Sequence, residues 1–156
     1  MLLSKSCEYG MRATLYIASL EQEGFVSIRD ISERLDLSFH FLTKILQKLT
    51  HAGILHSFRG PNGGVALAKP AERITLEEIV VAIDGPELFT ECILGLPSCG
   101  DQKACPMHEE WKEERARLKN MMSQRTLASL AEGINEHDYR LKDLELSTSP
   151  NGRSAH

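Results

Sequence analysis

Residues 27–69 read SIRDISERLDLSFHFLTKILQKLTHAGILHSFRGPNGGVALAK, and this stretch decides the fold. Ser27 precedes a short run with Asp30 three residues on and with Val26 and Ile31 at staple positions. A helix therefore starts at Ser27 and ends near Leu35. Asp36-Leu37 is a brief turn. Ser38 caps a second helix, with Leu37 and Leu42 as its staple. Leu42, Ile45, Leu46 and Leu49 share one face of that helix, and Gly53 closes it. Two short helices joined by a turn of about three or four residues form a helix-turn-helix. Ile54 to Arg59 then reads as a strand, Gly60-Pro61-Asn62-Gly63-Gly64 as a turn, and Val65 to Ala68 as the return strand. A hairpin directly after a helix-turn-helix is a wing.

Working outward, Tyr9, Ala13, Tyr16, Ile17 and Leu20 recur at helical steps, which predicts a helix from Ser4 to Leu20. Thr75-Leu76-Glu77-Glu78 is a capping box with Ile74 and Ile79 as staple, and Gly85-Pro86 ends the helix it opens. Glu87 to Pro106 reads as a loop holding three of the four cysteines. A long polar helix runs from His108 to Ser123. Its apolar seam, Trp111, Leu118 and Met122, is too thin to bury the helix in a monomer. It is expected to meet its symmetry mate in a two-fold dimer. Thr126 caps a last short helix through Leu130. The expected fold is mainly α with a small β wing: a winged helix-turn-helix plus a long dimerisation helix. The expected organisation is a DNA-binding domain over 1–85, a cysteine-rich loop over 86–107, the dimerisation and C-terminal helices over 108–146, and a disordered tail over 147–156.

Length and composition agree with that frame. A chain of 156 residues with 42% hydrophobic and 26% charged residues is a globular domain, not a disordered one. No stretch approaches the roughly 20 apolar residues that span a bilayer. The opening Met1 to Cys7 lacks the basic and apolar regions of a signal peptide, so a cytoplasmic location with reduced thiols is expected. The net charge of −4 does not suggest nucleic acid, but its distribution does. From Ser38 to Lys69 there is no Asp or Glu, while Lys44, Lys48, Arg59 and Lys69 give the window +4. The other 14 basic residues face all 22 acidic ones, leaving −8 elsewhere. Such a window is an electrostatic footprint for a phosphate backbone.

With the apolar face of the second helix buried, His40, Thr43, Lys44, Gln47 and Lys48 point outward. His40, Thr43 and Gln47 carry hydrogen-bonding groups for base edges. Lys44 suits guanine or a phosphate, and Lys48 the backbone. Arg59 and Asn62 in the wing are candidates for the minor groove or for phosphates. The second constellation is Cys92-x6-Cys99-x5-Cys105-x2-His108. Three thiols and an imidazole at these spacings fit an iron–sulfur cluster, a zinc ion or loosely placed thiols. Zinc sites usually carry a tighter cysteine pair, and the wide gaps favour a loop wrapped around a larger group. Cys7, on an apolar helix, reads as a small core residue.

Together these residues resemble the Rrf-type winged-helix regulators of bacteria over residues 1 to 131. The marks are Glu8-Tyr9-Gly10-Met11-Arg12-Ala13, the run Leu37 to Leu49, the wing Arg59-Gly60-Pro61-Asn62-Gly63-Gly64 and the cysteine loop. The resemblance implies a homodimer on a pseudo-palindromic site in double-stranded DNA. It also implies, in the cluster-bearing branch, an iron–sulfur cluster that senses redox state, nitric oxide or iron–sulfur status. A 2Fe–2S centre is expected ahead of a 4Fe–4S one. Cys92, Cys99, Cys105 and His108 look like the ligand set of the branch that regulates cluster biogenesis, with one extra residue in the first gap. Some relatives take an acidic ligand from the partner's first helix, and Glu8 matches that position, second to His108. Thr43 and Lys44 depart from that branch, so no operator carries over. The alternatives are a cluster-free thiol- or zinc-dependent regulator of the same fold, and a small redox or cluster-carrier protein. No phosphate loop, nucleotide fingerprint or Ser/His/Asp arrangement points to an enzyme.

Overall fold

The computed structural model describes residues 2–20 and 23–142. The tail expected over 147–156 lies outside the described residues. The first three helices each open where a Ser side chain takes an otherwise unpaired amide. Ser4 caps α1 (Lys5–Ser19), Ser27 caps α2 (Ile28–Leu35), and Ser38 caps α3 (Phe39–His51). Helix α3 ends in a two-bond C-terminal motif. The Gly53 amide donates to the Thr50 carbonyl at 3.1 Å and the Ile54 amide to the Leu49 carbonyl at 3.0 Å. Gly53 has φ +76°, a conformation that a side chain disfavours.

Strands β1 (Leu55–Phe58) and β2 (Gly64–Leu67) pair antiparallel, Leu55 opposite Leu67 and Phe58 opposite Gly64. Val26 and Val65 exchange two backbone bonds, which moors the wing to the entry of α2. Helix α4 (Leu76–Asp84) carries the full capping box between Thr75 and Glu78. Helix α6 spans His108–Gln124 and α7 Leu127–His137.

Two features differ from the sequence expectation. The cysteine loop contains a short helix α5 (Glu87–Thr90) and a 3-10 turn (Asp101–Lys103). Helix α7 runs on to His137 because its Leu127 and Ala131 are buried and it packs along α1.

The core joins α1, α3 and α4. Leu42, Ile45, Leu46 and Leu49 of α3 are all at most 2% exposed, against Ile31, Leu35, Ile79 and Val80. Gly10 makes the crossing close, since a β-carbon there would sit 2.3 Å from Ile83 Cδ1. Arg12, two residues on, donates to the Leu35 carbonyl at 3.0 Å, at the unpaired end of α2. The expected dimer seam divides. Met122 is buried in the protomer's own core, and the Trp111 indole donates to the Glu91 carbonyl at 2.8 Å. Trp111 and Leu118 both remain half-exposed, outside that core. Among the described residues no helix is long and apolar enough to cross a membrane.

Candidate metal centre and nucleic-acid interface

The cysteine loop is positioned at both ends. Cys92 follows α5 and is buried, while Cys99 and Cys105 flank the 3-10 turn and are half-buried. His108 is the first residue of α6, and its amide donates to the Cys105 carbonyl at 3.0 Å. The four side chains line one cavity of about 100 Å³. The Cys92 and Cys105 sulfurs lie 3.7 Å apart, and Cys99 Sγ lies 3.5 Å from His108 Nδ1. All four cysteines of the chain are free.

Electrostatics sorts the thiols. The amides of Leu94 and Leu96 donate to the Cys92 sulfur and bring its pKa below the ordinary thiol value. Cys105 moves the other way, first by desolvation and then through Cys92 and Cys99. Cys92 is thus the readier of the pair to ionise, and the thiolate is the metal-binding form. Three thiols and an imidazole around one cavity, with amide donors already aimed at a sulfur, fit an iron–sulfur cluster or a zinc ion by donor chemistry.

Sequence reading missed the residues that hold this loop. Asp101 Oδ1 lies 2.8 Å from His108 Nε2 and 3.0 Å from Lys112 Nζ, and these two contacts lower the Asp101 pKa. The Glu91 carbonyl, one residue before Cys92, accepts from Trp111 and, at 2.9 Å, from Arg115. No periodic or motif signal marks either arrangement, because both join residues through loop geometry. Glu8 pairs with Lys5 at 2.8 Å on its own helix and does not line the cavity of its own protomer.

Helix α3 places His40, Lys44 and Gln47 in solvent, with Arg59 and Asn62 exposed on the wing. Thr43 is half-buried, and its hydroxyl donates to the Phe39 carbonyl at 2.8 Å, leaving its methyl and lone pairs outward. The Lys48 ammonium lies 3.5 Å from the Ile83 carbonyl, so in the free protein it caps the end of α4. The guanidinium of Arg29, which sequence reading did not single out, lies 5.2 Å from the centre of the Phe39 ring. The rings of Phe25 and Phe58 lie 5.5 Å apart, tilted, and both are exposed at the wing.

Residues 3–133 match the family model for Rrf2, the iron-dependent transcriptional regulators. The chain belongs to the Rrf2 family. It is 35% identical over 135 residues to an HTH-type transcriptional regulator of Haemophilus influenzae, covering 86% of this chain and 89% of that one. It is 32% identical over 155 residues to the HTH-type transcriptional regulator IscR of Photorhabdus laumondii, covering 99% of this chain and 94% of that one. Its fold matches that of CymR, the global cysteine regulator of B. subtilis, with TM-score 0.72 and 27% identity over 83% of this chain and 95% of that one. These relatives are transcription regulators, not enzymes. This Rrf2 protein is accordingly a DNA-binding transcription regulator with a winged helix-turn-helix.

Proposed function

We propose that this Rrf2 regulator reports on redox state, nitric oxide or iron–sulfur supply through an iron–sulfur cluster held by Cys92, Cys99, Cys105 and His108. The observation that carries the reading is the convergence of three free thiols and a buried imidazole on one cavity. When bound, an iron–sulfur cluster supplies an oxidation- and nitric-oxide-sensitive centre, with 2Fe–2S favoured over 4Fe–4S. The Leu94 and Leu96 amides ready Cys92 as a thiolate, and α6 delivers His108. Glu8 of a partner subunit is the second candidate for the fourth ligand.

His40, Thr43, Lys44 and Gln47 read base edges in this proposal. Arg59 and Asn62 meet the minor groove or phosphates, and Lys48 leaves Ile83 for a phosphate. The regulator acts in the cytoplasm as a homodimer on a pseudo-palindromic operator. Support for the dimer comes from the exposed apolar residues of the loop and α6, namely Ile93, Leu94, Leu96 and Met121. The likeness to a cysteine regulator and the 3.7 Å approach of Cys92 to Cys105 favour one second reading, a thiol-dependent regulator of the same fold.

Anaerobic purification followed by visible absorbance and iron and sulfide analysis separates the readings. Charge-transfer bands that vanish in each of Cys92→Ala, Cys99→Ala and Cys105→Ala are expected. Colourless protein free of iron overturns the cluster reading in favour of thiols or zinc.

A further inference from the structure

His108 is 3% exposed, and both ring nitrogens are spoken for: Nε2 by Asp101 Oδ1 at 2.8 Å, and Nδ1 by Cys99 Sγ at 3.5 Å. A buried ring nitrogen without a partner costs about 1 to 3 kcal/mol, so these contacts decide where the proton sits. An ionised carboxylate only accepts. Nε2 must then donate, and a neutral imidazole keeps its lone pair on Nδ1, beside the thiols. Asp101 is itself pinned. Lys112, one turn along α6 from His108, places its ammonium 3.0 Å from the same carboxylate oxygen. One helix therefore supplies both the imidazole and the cation that fixes its partner.

We propose that Asp101 is a positioning residue: it holds the His108 proton on Nε2 and presents Nδ1 to the cavity as the metal-binding atom. Its use in metal binding rests on the proposed cluster, but the placement of the proton does not. The competing use of the same groups is a cation on the outer side of the ring. Asp101, His108 and Glu109 have ligand atoms within 4.8 Å of one another. The Lys112 ammonium, 3.0 Å from Asp101 Oδ1, already partners that carboxylate and repels a second cation beside it, which favours the proton.

The test is nitrogen-15 NMR of metal-free, reduced protein with labelled histidine, using long-range proton couplings to assign the His108 tautomer. The expected wild-type pattern, recorded where the ring carries a single proton, is that proton on Nε2. Asp101→Ala is expected to shift His108 to a mixture or to the Nδ1–H form. Asp101→Asn is expected to keep the wild-type pattern, because its carbonyl still accepts from Nε2. Asp101 is 74% exposed, so neither change opens the core. In iron-loaded protein, a chelator should strip Asp101→Ala about tenfold or more faster than wild type, with Asp101→Asn close to wild type.

A singly protonated wild-type His108 with its proton on Nδ1 overturns the proposal, as does an Asp101→Ala spectrum identical to wild type. Loss of the Nε2 proton on adding zinc alone, dependent on Glu109, overturns it in favour of the outer cation. An Nε2–H ring that depends on Asp101 in a protein that never takes up iron upholds the positioning role and refutes the cluster.

Discussion

At Cys7, burial and a neighbouring carboxylate push in one direction. The residue is fully buried on α1, and desolvation first, then Asp84, raises its pKa from 9.0 to about 12. Folding therefore disfavours the Cys7 thiolate. That contribution to stability is complete below about pH 9. It is lost as pH rises from 9 towards 12, where the unfolded chain ionises and the folded one does not. Iodoacetamide at neutral pH should modify Cys99 and Cys105 in metal-free protein and reach Cys7 only after denaturation, with peptide mass spectrometry as the readout. Gly64 is a second residue whose surroundings decide its identity. A β-carbon there would lie 2.0 Å from the Val26 carbonyl oxygen, inside the backbone pair that moors the wing. Gly64→Ala should cost about 1 to 3 kcal/mol, read as a lower urea midpoint at unchanged slope.

Helix ends and the wing set the behaviour of elements. In α4 the Thr75 hydroxyl accepts from the Glu78 amide at 3.2 Å, while the Glu78 carboxylate accepts from the Thr75 amide at 2.9 Å and pairs with Lys69. Desolvation alone would raise the Glu78 pKa, but the Lys69 and Thr75 contacts outweigh it and lower it. Thr75→Ala removes one bond of the box and leaves the other. The expected loss is about 1 kcal/mol of stability, measurable by urea unfolding. The wing is moored at its base and has an exposed tip with Arg59 upon it. Arg59→Ala should weaken binding to every DNA sequence and reduce the slope of log affinity against log salt by about one. Gln47→Ala should instead change which base is preferred, which a panel of single-base operator variants would reveal. An affinity unchanged by Arg59→Ala across salt concentrations would remove the wing from the interface.

The whole molecule couples the cysteine loop to α6 at two points: His108 opens that helix, and Trp111 and Arg115 hold the Glu91 carbonyl beside Cys92. Fixing a loop residue costs roughly 1 to 2 kcal/mol, so ligation of its side chains changes how firmly this loop and α6 are joined. If α6 also spaces two reading heads, that change reaches DNA, because half-site spacing is geometric. A coupling of about 1 to 3 kcal/mol corresponds to a 5- to 150-fold difference in DNA affinity between loaded protein and the triple Cys→Ala variant. Equal affinity of the two for every tested site would leave a DNA-binding protein without a sensor. The single Trp makes the same coupling visible, with Trp111 emission expected to change on metal loss. Sedimentation at micromolar concentration should give a dimer, and a monomer with and without DNA would refute that assembly.

The helix starts and the wing were legible in the sequence because their signals are local. Ser27, Ser38, Thr75 and Thr126 each cap the helix expected of them, since a side chain that pairs an amide three residues away needs no distant partner. The buried face of α3 followed from period alone, and Cys92, Cys99, Cys105 and His108 could be nominated as a set because their side chains share a chemistry. Only the tertiary structure decided the rest. Met122 faces its own core and Trp111 its own loop, which a thin apolar seam on one helix cannot reveal. The length of α7 depends on α1, more than a hundred residues earlier in the chain. Asp101 became visible as a partner of His108 only once the loop had turned back on α6, because hydrogen bonds across an irregular loop are set by where the backbone goes and leave no period to read.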